Sequence, residues 1–245
     1  MNPQPLAEAI RQRYGDEDYL SYELASEGAF LNLQLLALGD AGFDELEREL
    51  FLKNKGPGTK PRVLDIGCAI GSLLVKLRER GWDTTGVEIS GPQAEYCRQT
   101  HKLAVHSLPL EENKFPAGFF DVVLASHLIE HLNDPAGLVR EARRILAPGG
   151  HLFVTTPNIA GFQARLFKSR WRSAIFDHLY LFSVSTLSRL LLGCGEEKGF
   201  TIEKISTWGG LAAGTAPAPL KRVFDKAAKR FGFGDVMIVR AGLRD

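Results

Sequence analysis

A chain of 245 residues, 44% hydrophobic and 24% charged, has the make-up of a folded domain with a full core, which excludes a disordered or low-complexity polymer. Its 30 Lys and Arg against 29 Asp and Glu leave a net charge of +1, so no global field draws it onto nucleic acid or an anionic membrane, although a local basic patch is allowed. Cys68, Cys97 and Cys194 are too few and too scattered for a disulfide framework or a paired-cysteine zinc site, and read as small, partly buried residues in a reducing compartment.

The first residues, Met1-Asn2-Pro3-Gln4-Pro5, form neither a basic n-region nor an apolar h-region, and no apolar run approaches membrane-spanning length. The expected location is cytoplasmic. From about Leu6 to Lys55, Leu6, Ile10, Leu20, Leu24, Phe30, Leu31, Leu35 and Leu38 recur at near-helical intervals, broken at Tyr14-Gly15-Asp16 and Gly39-Asp40-Ala41-Gly42. This predicts a helical cap over residues 1–60, closed by the linker Gly56-Pro57-Gly58-Thr59-Lys60-Pro61. Arg11, Arg13, Tyr14, Tyr19 and Tyr22 are the cap side chains able to reach a ligand, and each reads most simply as part of a solvated, partly buried helix.

Next, Val63-Leu64-Asp65-Ile66-Gly67-Cys68-Ala69-Ile70-Gly71 reads as a strand and a tight turn, followed by the amphipathic helix that begins at Ser72. Gly67 and Gly71 lack a Cβ, so a ligand can lie against the backbone where unpaired N–H groups open a helix. The following apolar segment ends in Glu88, about 20 residues on, the interval at which a carboxylate grips a ribose diol. A dinucleotide site needs a second glycine for its pyrophosphate. Ala69 stands there instead, and Asp65 would repel a phosphate. S-adenosylmethionine fits better, with adenosine for Glu88, no phosphate, and an ammonium for Asp65. The pattern Asp-x-Gly-x-x-x-Gly followed by an acidic strand end resembles the class I S-adenosylmethionine-dependent methyltransferases.

From Pro61 to about Thr156 the pattern alternates, with strands near 62–67, 83–88, 103–106, 119–125 and 150–155 and helices near 72–80, 91–100, 127–132 and 135–146. Repeated βα units with right-handed crossovers predict a parallel sheet covered on both faces. The resemblance extends this to an α/β, doubly wound, Rossmann-like seven-stranded sheet, mostly parallel with an antiparallel last strand, over residues 61–245. It implies that the N-terminal helices cover the cofactor. It also implies that Asp65, Gly67, Cys68 and Gly71 shape the methionine end, Glu88 and Ile89 the ribose, and Ser107 and Leu108 the adenine, with Ser126 and His127 at the mouth of the fourth strand. A helix from Ala136 to Leu146 then turns through Pro148-Gly149-Gly150 into the fifth strand.

His127-Leu128-Ile129-Glu130-His131 matches the inverted zinc-protease pattern letter for letter. That motif needs a long helix, whereas here it follows a strand and is soon interrupted at Asn133-Asp134-Pro135, so zinc hydrolysis is set aside. The segment also resembles the E-x-x-E-H stretch that binds a divalent ion in ubiquinone-pathway O-methyltransferases and small-RNA 2′-O-methyltransferases. Glu130 and His131 match, Asp177-His178 lies downstream, and His127 replaces the first Glu. Mg²⁺ prefers oxygen donors, so no metal ligand is assigned and a divalent metal is left open. Without metal, His131 and His178 are the candidate catalytic bases.

Beyond Thr155-Thr156-Pro157-Asn158, a lid insertion at about 157–183 mixes Phe162, Phe167, Trp171, Phe176, Tyr180 and Phe182 with Arg165, Lys168, Arg170 and Arg172. It suits an acceptor pocket for a flat or acidic molecule, or simple packing of the lid on the sheet. A helix from Ser185 to Leu192 and strands Phe200–Trp208 and Asp235–Arg240, an antiparallel hairpin-like pair, finish the sheet. Between them Gly209-Gly210 and Pro217/Pro219 lead into a basic helix, Lys221 to Arg230, read as a solvated face. The expected reaction is methyl transfer to an O or N nucleophile of a small-molecule acceptor, leaving S-adenosylhomocysteine, with no nucleic-acid partner and an open oligomeric state. The alternatives are a catalytically silent cofactor-binding module and an NAD-dependent oxidoreductase, the latter disfavoured by Ala69 and Asp65.

Overall fold

The computed structural model describes residues 17–53, 56, 58–193, 199–209 and 218–243. Cys194, Leu6, Ile10, Arg11, Arg13, Tyr14, Gly210 and Pro217 lie outside the described residues, as do the side chains of Tyr19 and Lys221.

The strands are β1 (Arg62–Ile66), β2 (Asp83–Val87), β3 (Ala104–His106), β4 (Phe120–Ser126), β5 (Leu146–Pro157), β6 (Phe200–Trp208) and β7 (Val236–Leu243). They form one seven-stranded sheet in the order β3-β2-β1-β4-β5-β7-β6. β1 to β5 are parallel, and β7 runs antiparallel between β5 and β6. The order reverses between β1 and β4, so the carboxyl ends of those two strands open the crevice in which such folds hold ligands. The expected antiparallel pair is present, though β6 and β7 are linked through a helix rather than a short turn.

Period-two alternation builds both faces. Leu64 and Ile66 of β1, Val123 and Ala125 of β4, and Leu152 and Val154 of β5 share one buried cluster with α5 (Pro135–Ile145) and α7 (Val184–Leu191). Val63, Val122, Leu124 and Phe153 face the other way, against α2 (Phe43–Lys53) and α3 (Ser72–Glu79). There Phe43 stacks on Trp82 with centroids 5.4 Å apart, and the Trp82 indole donates to Glu47 at 2.7 Å. α1 (Glu17–Asp40) precedes these, and its end sends Ala37 and Leu38 into the same cluster. α4 (Gly91–Gln99) covers β2 and β3 through Ala94 and Cys97, packed on Leu103 and Val105.

α5 begins where its cap dictates. The Asp134 carboxylate accepts from the Gly137 N–H at 2.9 Å, and Pro135 occupies the first helical position, where a missing N–H costs nothing. Leu138, Val139, Ala142 and Ile145 form its buried face. β5 starts at Leu146, ahead of Pro148-Gly149-Gly150 rather than after it. Leu146 pairs with Phe120, and the ladder resumes at His151 opposite Val122 across a register shift. A Cβ on Gly150 would sit 2.8 Å from the Ala147 carbonyl oxygen and 3.1 Å from that of Asp121, so glycine lets the strand carry this irregularity. β3 is only three residues long, and β6 shifts register between Ile202 and Lys204.

The remaining helices are α6 (Phe162–Phe167) and α8 (Ala218–Phe231). Gly86, in the middle of β2, has no room for a side chain: a Cβ there would lie 2.7 Å from Cys68 Sγ and 2.9 Å from Leu74. Gly86→Ala is expected to lower stability by roughly 1–3 kcal/mol through overpacking, read as a reduced urea midpoint at unchanged m-value.

Candidate active site

Ile66 pairs with Val87, so β1 and β2 end side by side. The chain leaves β1 through Gly67, Ala69 and Gly71, all at positive φ (73°, 50° and 78°). Glycine adopts this region freely, whereas Ala69 does so at a steric cost of roughly 1–2 kcal/mol. The carboxylate of Glu88 holds the loop in that shape: one oxygen accepts from the Ala69 N–H at 2.9 Å and the other from the Ser90 N–H at 2.8 Å. The Val87 carbonyl accepts from Gly67 and Cys68, at 2.7 and 3.2 Å. α1 reaches the same place, where Glu27 accepts from the Ser72 hydroxyl at 2.7 Å.

Asp65 is buried at the end of β1, and its Oδ1 has no hydrogen-bond partner among the described residues. Burial, reinforced by the Glu88 charge, pushes its pKa from an ordinary 3.8 up to about 7. Burial also raises Glu88, against the opposing pull of N–H groups from Ser90, Ala69 and Ile89. Two crowded carboxylates of this kind repel a phosphate and favour a cation.

Of the other residues expected at a cofactor site, Cys68 is buried, its thiol raised by a hydrogen bond with Cys97 and then by burial, and Ile89 is half-buried. Ser107 accepts from Arg98 at 2.9 Å, and Leu108 is exposed. Ser126 pairs with Thr155, and the His127 N–H donates to the Thr155 carbonyl at 2.8 Å. The turn after β4 closes over the loop after β1, since a Cβ on Gly67 would lie 3.4 Å from Leu128.

The helix expected over 127–132 is not formed. His127 is left-handed (φ 51°), and only Ile129–His131 make a single 3-10 turn. The Glu130 carbonyl, which a continuing helix would use internally, accepts instead from the Tyr180 N–H at 3.1 Å. This turn gathers a second cluster. One ligand-type atom from each of Glu130, His131 and His178 lies within 4.8 Å of the others, and the two imidazoles meet edge to face at 4.8 Å. His131 Nδ1 contacts the Asp177 carbonyl at 3.0 Å and His178 Nδ1 the Ser173 carbonyl at 2.7 Å. Carbonyls only accept, so each ring carries a proton on Nδ1, and a neutral ring keeps its lone pair on Nε2.

Glu130 is 1% exposed; its Oε2 accepts from Thr156 at 2.9 Å, while its Oε1 lies 3.3 Å from His127 Nδ1 without forming an aligned hydrogen bond. Burial works to raise the Glu130 pKa, but His127 prevails and holds it below the usual value. Burial pushes His131 down to about 4, so it is neutral at neutral pH. Sequence reasoning had no signal for Glu27, Ser90 or Asp235. Thr156 lay within a stretch already singled out.

A family model for a methyltransferase domain matches residues 38–205, and the chain belongs to that methyltransferase family. The ubiquinone biosynthesis O-methyltransferase of Acinetobacter baylyi is 31% identical over 104 residues, which are 40% of this chain and 44% of that protein. Its counterpart in Pseudomonas aeruginosa is 32% identical over 111 residues, with the same shares. The chain thus spans less than half the length of the curated relatives it matches.

Among solved structures, a SAM-dependent methyltransferase of Archaeoglobus fulgidus superposes with TM-score 0.53 at 19% identity, over 81% of this chain and 93% of that one. The cyclase SpnF superposes with TM-score 0.63 at 17% identity, over 99% and 98%. At these identities the likeness establishes the fold, a class I methyltransferase fold, while a neighbour called a cyclase shows that the fold alone does not fix the chemistry.

Asp65 binds its proton more tightly folded (about 7) than at its ordinary 3.8, so ionising it costs stability; the cost is absent below about pH 4 and complete above about pH 7. Asp65→Asn is therefore expected to stabilise the ligand-free protein relative to wild type by roughly 2–4 kcal/mol at pH 8 and by little at pH 4, in urea titrations at the two pH values.

Proposed function

We propose that this chain transfers a methyl group from S-adenosylmethionine to an oxygen or nitrogen nucleophile of a small-molecule acceptor, releasing S-adenosylhomocysteine. The observation that carries the reading is the pair of carboxylates, buried Asp65 and half-buried Glu88, on either side of the positive-φ loop at the sheet's switch point. The Glu88 oxygens, held by backbone N–H groups, keep acceptor capacity for a ribose hydroxyl. Asp65 offers its charge to the ammonium of the methionine moiety, and Ser126 and His127 border that end from β4. Ser107 and Leu108, exposed after β3, are the residues proposed to flank the adenine.

The sulfonium is already an activated methyl donor, so the protein aligns the acceptor for in-line displacement and takes up its proton. The Nε2 lone pairs of His178 and His131 are the proposed acceptors of that proton. His131, pushed down to about 4 by burial, holds a proton poorly once it has taken it.

Calorimetric titration with S-adenosylhomocysteine and with NAD tests the cofactor half. Wild type binds S-adenosylhomocysteine and not NAD, and Glu88→Ala weakens that binding by roughly tenfold to a hundredfold. NAD binding would convert the reading to an oxidoreductase; cofactor binding with no turnover on any acceptor would make the chain a silent module.

A second reading of the same histidines is favoured by buried Glu130, which brings a carboxylate oxygen within 4.8 Å of two imidazoles whose Nδ1 atoms are held by carbonyls. Glu130, His131 and His178 would hold a divalent cation, and two nitrogen donors suit Zn²⁺ or Mn²⁺ better than Mg²⁺. When bound, it would act as a Lewis acid that eases ionisation of a hydroxyl acceptor. Equilibrium dialysis is expected to show Zn²⁺ or Mn²⁺ retained by wild type and lost by roughly tenfold or more in Glu130→Gln and His178→Ala, with Mg²⁺ not retained. Equal retention by all three proteins would leave the histidines as bases.

A further inference from the structure

Between β5 and α7 the chain leaves the sheet, and from Ile159 to Phe176 it contains no acidic residue while carrying Arg165, Lys168, Arg170 and Arg172. That is a sharp local imbalance in a protein of net charge +1. The segment is fixed from within. Trp171 is buried, its indole N–H donates to the fully buried Asp235, and Arg172 donates to the other oxygen of the same carboxylate at 2.6 Å. Arg172 is thereby matched, whereas Arg165, Lys168 and Arg170 are exposed and make no ion pair among the described residues.

The aromatic packing expected of this lid is done by Trp171 and Phe182, which are buried, with Tyr180 half-buried beside Phe182. Leu166, Phe167, Ile175 and Phe176 stand 57%, 45%, 48% and 65% exposed instead. α8 joins them at the edge, where the Phe162 and Phe224 rings are 6.4 Å apart, and it adds exposed Val223 and Lys226. Exposed large apolar side chains interleaved with unmatched cations are costly to leave in water and suit a surface that is apolar beneath an anionic layer.

We infer that Ile159–Phe176 is a docking surface for a lipid bilayer bearing anionic headgroups, the cations meeting phosphates while the apolar side chains enter the acyl boundary. Charge complementarity selects the anionic surface. The aliphatic Leu166 and Ile175 select lipid over single-stranded nucleic acid, which would reward stacking aromatics. The surface ends at Asp177-His178, so the bilayer would lie against the mouth of the histidine cluster. Binding of this kind requires neither cofactor nor methyl transfer.

Sedimentation of the full chain with vesicles of phosphatidylcholine, or of phosphatidylcholine mixed with phosphatidylglycerol, tests it. The protein partitions onto the mixed vesicles and not onto the neutral ones, and salt weakens the partitioning. The triple variant Arg165→Gln, Lys168→Gln, Arg170→Gln lowers the partition coefficient on the order of 100-fold, and Phe167→Ser with Phe176→Ser lowers it roughly tenfold or more. Neither set touches Trp171 or Asp235, and circular dichroism confirms folding. Failure to bind mixed vesicles, equal binding to neutral vesicles, or binding unaffected by both sets overturns the inference. Loss of single-stranded RNA retention in the triple variant, with no vesicle binding by wild type, reassigns the patch to nucleic acid. S-adenosylhomocysteine binding, measured in parallel, keeps this outcome separate from that of the proposed activity.

Discussion

The structure depends first on how one carboxylate closes a loop. Glu88 sits at the end of β2 and takes the backbone N–H groups of Ala69 and Ser90, one on each oxygen. That bridge, with the Val87 carbonyl holding Gly67 and Cys68, offsets the left-handed backbone of Ala69 and fixes the opening of α3 against β2. The bridge is made in a buried place, beside Asp65, so its geometry is obtained together with a repulsion between two acids. Two acids crowded at neighbouring strand ends leave the site short of positive charge. A cation brought beside Asp65 relieves it, which couples occupancy of the site to the protonation of a side chain in the core.

The second centre is built on a helix that stops short. The Glu130 carbonyl is taken by Tyr180, Asp134 caps the next helix, and the single turn Ile129–His131 carries Glu130 and His131 of the cluster. The same contact fastens the segment after β5 to the end of β4, so that His178, from a distant part of the sequence, meets His131. Backbone carbonyls from Ser173 and Asp177 then orient both rings. Both imidazoles are thus held by main-chain groups of the segment after β5.

The sheet was legible because its strands carry a buried period-two pattern: Val63, Leu64 and Ile66, then Val122 to Ala125, announce themselves by composition. Asp65, Gly67, Gly71 and Glu88 were legible for a related reason, since acids and glycines at strand ends break an otherwise apolar pattern. The turn at 127–132 was not, because His127-Leu128-Ile129-Glu130-His131 has helical spacing and the competing partner, Tyr180, lies far along the chain. The early start of β5 was hidden by Pro148-Gly149-Gly150, turn residues that here sit inside a bulged ladder. Among the lid aromatics Trp171 is buried where its indole meets Asp235, a residue whose burial no local pattern discloses.

The two margins of the sheet have a bearing on self-association. β3 offers only three residues of ladder, and β6 is kinked by its register shift and presents Glu203 and Lys204 to solvent. A strand from another molecule finds no long, flat, apolar edge to extend on either side. The fold therefore guards against fibre-like stacking through its own main chain, and self-assembly is left to side chains on helices and loops, where sequence changes can adjust it without disturbing the sheet.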